Sequence, residues 1–498
     1  MITRRQFTLG ATALPLAGLG VGPEVQRDFF YKPHDAWAAD FIPFYWQGQF
    51  YLFYLLDWRD KAKHGEGTPW YLVTTRDFVN FVEHGEMLPR GGREEQDLWV
   101  FTGSVVRGEG RFHIYYTGHN SYLKANGEPQ EAIMHAESDD LLTWHKVPGE
   151  KLFAPLDRYE KDDWRDSFVF WNDQAQEYWM LLAARLKSGP ARRRGCTALA
   201  TSKNLKSWTV QEPFWTPRLY FTHECPDLFR MGDWWYLVYS TFTERSVTHY
   251  RMSRSLKGPW YAPENDTFDG RAFYAAKTAG DGQRRFVFGW NPTRSDAQDD
   301  RPWNWGGNLV VHELVQEKDG TLSVRPPDTV RAAFSKRAEL SWRPAVGKPE
   351  IAGQRLTLSC RDSFAAATGG ALPSRCKIVA TVEFQPNTRG CGLMLKMSDD
   401  FDTGYYVRLE PGRNRLVFDG WPRPGDIPFM VELERPLALS AGQPVKLTLL
   451  ADGSVFTVYA NDKVAMSGRM YDHKAGAWGV FVSEGSATFS NLSLSTAG

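Results

Sequence analysis

The feature that most constrains this chain is a repeated two-strand unit. An alternating aromatic and aliphatic run meets a short polar or glycine turn and is followed by a second run, which is how a β-hairpin reads. Five such units can be followed: Phe44 to Tyr54, Val105 to Tyr116, Val169 to Met180, Leu228 to Tyr239 and Lys277 to Trp290. Their turns fall at Gln47-Gly48, Gly108-Glu109-Gly110, Asn172-Asp173, Gly232-Asp233 and Gly280-Asp281-Gly282. They recur roughly every 50 to 65 residues, a period that suits a four-stranded propeller blade and exceeds that of most helical solenoids. Between them lie the segments Thr75 to Phe81, Ser138 to Trp144 and Ser202 to Trp208, each read as a turn that drops an aromatic side chain into the next strand.

After Pro326-Pro327 the texture shifts to shorter alternating strands such as Tyr405 to Leu409 and Val455 to Tyr459, separated by Gly, Asn and Asp turns. That pattern suits an antiparallel sandwich. Helical periodicity is weak throughout. The expectation is an all-β protein: a five-bladed β-propeller over residues 26–330, a linker over 331–350 and a β-sandwich over 351–498. At 498 residues, two domains are also what size alone suggests.

Lysine plus arginine and aspartate plus glutamate number 59 each, with no long run of either sign, so nothing marks a nucleic-acid or anionic-membrane partner. The aromatic load is high, at 20 Trp, 20 Tyr and 31 Phe. Aromatic faces suit the C–H faces of sugar rings, although they also fill ordinary β-structure. At the start, Arg4-Arg5 precedes an apolar stretch from Ala11 to about Val21, too short to span a bilayer and similar to a twin-arginine export signal over residues 1–25. An exported location, periplasmic or extracellular, is expected. Five cysteines are too scattered for a disulfide scaffold, though Cys360, Cys376 and Cys391 leave room for one bridge. Cys225 reads as a small buried thiol rather than a nucleophile.

Three acidic residues stand just ahead of apolar strands: Asp40 before the first hairpin, Asp166 before the third and Glu224 before the fourth. An unpaired charge there is costly unless it faces a polar cavity, and the inner strands of a propeller converge on a central funnel. Carboxyl groups brought together from different blades are what glycosidic hydrolysis needs: one acid to protonate the leaving oxygen, and one carboxylate to attack the sugar or activate water. Taken singly, each could equally be an exposed turn residue.

Over most of residues 30–495 the chain resembles glycoside hydrolase family 32, the invertases, inulinases and levanases. His223-Glu224-Cys225-Pro226-Asp227 looks like the family's Glu-Cys-Pro-Asp motif, and Trp164-Arg165-Asp166-Ser167 is similar to its Arg-Asp-Pro motif, with serine for proline. Phe101-Thr102-Gly103-Ser104 resembles a Phe-Ser-Gly-Ser element. Phe273-Tyr274-Ala275 with Arg285 to Trp290 resembles the fifth blade, and Trp305-Gly306-Gly307-Asn308 the close of the propeller. The resemblance implies a retaining mechanism on fructofuranosides, with Glu224 as acid/base, Asp166 as transition-state stabiliser and Asp40 as nucleophile. It also implies substrate contacts from Trp37, Trp70, Phe101, Ser104, Arg165, Tyr274, Trp290 and Trp305.

The first blade departs from the pattern. Where the family carries Asn-Asp-Pro-Asn-Gly, this chain has Ala38-Ala39-Asp40-Phe41-Ile42-Pro43, which sets Asp40 one residue out of register, with Asp35 and Asp57 in reserve. Leu55 and Tyr71-Leu72 replace polar pocket residues, which should loosen discrimination for a terminal fructose. A carbohydrate remains the expected partner. Two other readings stay open at this level: an inverting hydrolase of the related family 43 type, and a sugar-binding propeller that has lost its nucleophile. No cofactor is implied, and no clustered His, Cys or Asp pattern calls for a metal. His34, His64 and His223 lie near the proposed carboxylates in sequence and read as pocket-shaping groups.

Overall fold

A computed structural model describes residues 25–422 and 431–498; the export signal expected over residues 1–25 falls almost wholly outside them. The described chain is built almost entirely of antiparallel strands, with helical turns such as Lys61–His64 and Asp328–Ala333 at the margins. None of its helices is long and apolar enough to cross a membrane. The expected class is what is found: a five-bladed propeller followed by a β-sandwich.

The strands that open the blades are Trp37–Trp46, Trp99–Gly108, Arg165–Asn172, Glu224–Met231 and Tyr274–Gly280. Each packs against the next and the fifth returns to the first, so the five close a ring around one axis. Each then pairs outward with its hairpin partner, in the register that the turns at Gly48, Gly110 and Gly282 permit. The ring is closed by Trp303–Gln316, whose Gly307 pairs with Ala38 of the first blade.

All five inner strands carry a β-bulge near their start. The register slips between Ala39 and Ile42, Phe101 and Gly103, Arg165 and Phe168, Glu224 and Asp227, and Tyr274 and Lys277. Asp40, Asp166, Cys225 and Ala275 adopt positive φ there, at 43°, 60°, 50° and 48°. Such backbone is unfavourable by roughly 1 to 2 kcal/mol per non-glycine residue, and its recurrence in four blades marks it as part of the blade design. In the second blade, Gly103 makes the bulge feasible: a Cβ there would lie 1.9 Å from the Tyr115 carbonyl oxygen.

In the C-terminal half, the 20-residue strand Ala477–Thr496 pairs in turn with Arg355–Ala371, Arg375–Phe384 and Gly390–Met397. The segment expected to be a linker is already committed to this sheet: Lys336–Arg337 pairs with the end of that long strand, and Arg343–Val346 with Arg355–Ala371. The sandwich core includes Trp478, Phe456 and Leu449, and Leu450, Val455, Tyr459 and Ala465 of the same half pack into the propeller's apolar cluster. The two halves meet through a buried polar contact in which His312 lies 3.0 Å from Asp269 and 2.9 Å from the Tyr459 hydroxyl. All five cysteines are free and buried, so the bridge allowed for among Cys360, Cys376 and Cys391 is not formed. Cys360 instead points its thiol at the Val482 carbonyl.

Candidate active site

The bulges decide which side chains face the axis. Side chains alternate along a strand, so one extra residue redirects everything before it relative to everything after it. At each bulge two successive residues sit opposite one partner residue or next to it: Ala39-Asp40, Phe101-Thr102, Arg165-Asp166, Glu224-Cys225 and Tyr274-Ala275. All of these but Ala39 line a single funnel of about 660 Å³. Asp40, Asp166 and Glu224, though 184 residues separate the outer two in sequence, therefore share one cavity (224 − 40 = 184).

Asp40 has both oxygens engaged. Thr102 Oγ1 donates to Oδ2 at 2.7 Å and Trp290 Nε1 donates to Oδ1 at 2.8 Å. Burial pushes the Asp40 carboxyl up to about 6; the Thr102 and Trp290 bonds pull against this, the like charge of Glu224 adds to it, and Lys277 opposes it. Asp166 receives the Cys225 backbone N–H at 3.0 Å, while its own N–H donates to Thr117 Oγ1 at 2.8 Å. Burial drives the Asp166 carboxyl up to about 7, with Arg165 resisting and Glu224 and Asp40 reinforcing.

Glu224 is held from both sides: Arg165 Nη2 donates to Oε1 at 2.9 Å and the Tyr274 hydroxyl donates to Oε2 at 2.6 Å. Arg165 also pairs with Asp163 at 2.6 Å and lies 3.5 Å from Glu131. Burial pushes Glu131 up, yet Arg165, His119 and the Trp164 N–H outweigh it and hold its carboxyl at about 2. The Arg165 guanidinium thus gathers Glu131, Asp163, Asp166 and Glu224 around itself, while Asp40 is held separately by Thr102 and Trp290. Leu55, Trp58, Trp99 and Phe101 make its wall, and Trp305 and Phe242, 39% and 45% exposed, stand at its mouth.

The expected contact residues divide. Phe101, Arg165, Tyr274 and Trp305 line the funnel. Trp290 reaches it only through its indole N–H on Asp40, so it positions a carboxylate. Trp70, Ser104 and Trp37 do not line it. Trp70 is fully buried between the first two blades and donates to the Phe101 carbonyl at 3.1 Å, because strand alternation turns it away from the axis. Ser104 Oγ accepts the Val169 N–H at 2.9 Å and ties the second blade to the third. Trp37 carries the Arg59 guanidinium 4.8 Å above its ring.

Of the two reserves, Asp57 lines the funnel and Asp35 does not: it is paired with His34 on the surface, both 88% exposed. His64 stacks on Trp58 at 4.9 Å, and His223 is buried, its imidazole pushed down to about 3 by burial. Thr102, Trp58, Glu131 and Phe242 escaped the sequence reading. Thr102 had a signal: it holds the same place in the second blade as Asp40 and Asp166 hold in theirs. Among the described residues, three metal-type donors converge at His113, His135 and Glu137, away from the funnel lining.

Comparison with known proteins bears on the whole chain. A model of the glycosyl hydrolases family 32 N-terminal domain matches residues 31–326, and one of the glycosyl hydrolases family 32 C terminal matches residues 355–496. The chain is 27% identical over 342 residues to the levanbiose-producing levanase of Bacillus subtilis (strain 168), covering 61% of this chain and 60% of that protein. It is 23% identical over 464 residues to the sucrose-6-phosphate hydrolase of Escherichia coli, covering 89% and 88%. Two solved structures share the fold across nearly the full length. Fructan 1-exohydrolase IIa from Cichorium intybus superposes with a TM-score of 0.71 at 15% identity, covering 94% of this chain and 97% of its own. Exo-inulinase from Aspergillus awamori gives 0.70 at 17%, covering 95% and 98%.

Proposed function

This chain belongs to glycosyl hydrolase family 32, and we propose that it hydrolyses β-fructofuranosidic bonds of sucrose, fructo-oligosaccharides or fructans with retention of configuration. The observation that carries the reading is the convergence of Asp40, Asp166 and Glu224 from three blades on one funnel, each held by its own donors.

In the first step an Asp40 oxygen attacks the anomeric carbon of the fructosyl unit and the bond to the departing oxygen breaks. The electron pair stays on that oxygen, which takes the proton of the Glu224 carboxyl. In the second step Glu224, now a carboxylate, removes a proton from water. The water oxygen bonds to the anomeric carbon, the bond to Asp40 breaks, and both side chains return to their starting states. Such a pair works at a separation of about 5 to 5.5 Å. Thr102 and Trp290 aim Asp40; Arg165 and Tyr274 aim Glu224; Asp166 accepts hydroxyl hydrogens of the sugar.

Family membership disfavours the inverting family 43 reading, and the engagement of Asp40 by Thr102 and Trp290 argues against a propeller that has lost its nucleophile. Asp40→Asn and Glu224→Gln, assayed on sucrose, inulin and levan with folding checked by circular dichroism, should each abolish turnover. NMR of the first-formed product should show retained anomeric configuration. Turnover surviving Asp40→Asn, or an inverted product, would remove Asp40 from its role. Export through the Arg4-Arg5 leader belongs to the same proposal: Arg4→Lys with Arg5→Lys should trap the protein in the cytoplasm, and unchanged fractionation would refute export by that route.

A further inference from the structure

Arg165 Nη2 donates to Glu224 Oε1 at 2.9 Å, and a guanidinium bonded to a carboxyl group favours its ionised form. The first step of the reaction needs the opposite: Glu224 must hold a proton and give it to the leaving oxygen. The other groups facing Glu224 pull both ways. Asp40 and Asp166 favour the protonated form by like charge, and the Tyr274 hydroxyl, a donor at 2.6 Å, favours the ionised one. The Cys225 thiol beside it is buried and uncharged, and Lys277, a second buried cation nearby, donates to the Pro226 carbonyl at 3.1 Å.

The far side of the Arg165 guanidinium is occupied by carboxylates. Nη1 lies 2.6 Å from Asp163 Oδ1 and 3.5 Å from Glu131 Oε2, and Nε lies 3.8 Å from Asp166 Oδ2. Glu131 opens the strand Glu131–Ser138 of the second blade, and Asp163 lies in the segment leading into the third. Glu131 has both oxygens engaged by the protein, Oε2 taking the Trp164 N–H at 2.8 Å and Oε1 facing His119 Nδ1 at 3.3 Å; Asp163 does not line the funnel. Arg185 lies 3.5 Å from the other Asp163 oxygen but is already matched by Glu160 at 2.7 Å, which leaves the charge of Asp163 to Arg165. With its carboxyl held at about 2, Glu131 is a counter-charge that does not titrate near neutral pH, whereas Asp166, pushed up to about 7, does.

We infer that Glu131 and Asp163 are positioning residues for the acid/base: they take up the charge of Arg165, so that its hydrogen bond orients Glu224 without stripping the proton the leaving oxygen needs. The inference rests on the roles proposed above for Glu224 and Asp40. An arginine whose main partner was Glu224 would hold it as a carboxylate and disable the first step. Matched from behind, the same arginine supplies direction and little net positive charge. Neither Glu131 nor Asp163 touches a reacting atom; both act through Arg165.

Glu131→Gln and Asp163→Asn each delete one charge and keep the side-chain shape, and the Asp163 backbone, at φ 60°, is in a region that asparagine accepts. The basic limb of kcat/KM on sucrose, where Glu224 loses its proton, should move to lower pH by roughly 1 unit in either variant, the low end of what an adjacent charge does. Above that limb each should be about 10-fold slower than wild type. On an aryl β-fructofuranoside, whose phenolate leaves without a proton, variants and wild type should agree within about 2-fold. Circular dichroism and thermal melting check folding. A basic limb that stays in place in the folded variants, or equal losses on the aryl and the sugar substrate, would overturn the inference and leave Glu224 as acid/base. A Glu224→Gln protein that still cleaves sucrose with the wild-type basic limb would remove the acid/base assignment itself, and the inference with it.

Discussion

Thr102→Val is the most revealing single change in the funnel. It keeps the side-chain shape but deletes the hydroxyl that donates to Asp40 Oδ2 at 2.7 Å, leaving Trp290 as the donor on the other oxygen. A hydrogen bond to a charged group contributes about 1.5 to 3 kcal/mol, and one pKa unit corresponds to about 1.4 kcal/mol. The bond favours the ionised carboxylate, so its loss should raise Asp40 by roughly 1 to 2 units from its folded value near 6. The nucleophile must be ionised, so the acidic limb of kcat/KM should move to higher pH by that amount. Below the limb the variant should be about 10- to 100-fold slower; at pH 8 or above the deficit should shrink. Stability shifts in the same sense. Asp40 holds its proton more tightly folded than unfolded, so stability falls as pH climbs from 3.8 through about 6, and the variant extends that loss to higher pH. Full pH profiles on a small fructoside, with Thr102→Ser as the control that keeps the hydroxyl, make the assay. An acidic limb that stays in place in Thr102→Val, or moves equally in Thr102→Ser, refutes the reasoning and assigns that limb to Asp166.

Arg165→Met should leave Glu131, Asp166 and Glu224 without their common cation, lowering stability by about 3 to 5 kcal/mol near neutral pH in chemical denaturation. The Arg165 support of Glu131 is present above the unfolded carboxyl value near 4.5 and is lost as pH falls toward 2, so the gap to wild type should narrow in acid; a gap that widens contradicts the assignment. Trp305→Ala and Phe242→Ala remove the exposed aromatics at the funnel mouth and should raise KM for inulin or levan about 2- to 10-fold, with a smaller effect on sucrose. Equal effects on short and long substrates would exclude these rings from contacting the distal sugars. Trp290→Phe keeps an aromatic ring but loses the donor on Oδ1, and its acidic limb should move up as in Thr102→Val; an unmoved limb would make Trp290 a packing residue only.

The blade count and the three carboxylates were legible because hairpin periodicity and acidic residues at strand starts are local signals. Facing was not. Trp70 and Ser104 lie within matched segments, yet pleat alternation sends one into the core and the other to the next blade, and a single-residue bulge is enough to reverse such an assignment. For the same reason Asp40 appeared one residue out of register, while in space it occupies the bulge position that Asp166 occupies two blades away. His113 and His135 show the other blind spot. They are 22 residues apart and meet only through cross-strand pairing, which carries no sequence signature at that range.

The bulges also separate what the scaffold supplies from what the chemistry adds. Cys225 and Ala275 adopt the same positive φ as Asp40 and Asp166, although neither is charged at that position. The strained turn is therefore present whether or not a carboxylate occupies it, and the blades present a ring of paired positions at one level of the axis. The site arises from filling that ring unequally. Acids occupy the second position in the first and third blades and the first position in the fourth, with Arg165 and Tyr274 between and beside them. Two carboxyls at the second position sit deep and are pushed upward by burial, whereas Glu224, one residue earlier, meets Arg165 and Tyr274 from the side. A difference of one residue along the strand thus gives chemically similar groups different partners: Thr102 and Trp290 on Asp40, the Cys225 N–H on Asp166, Arg165 and Tyr274 on Glu224.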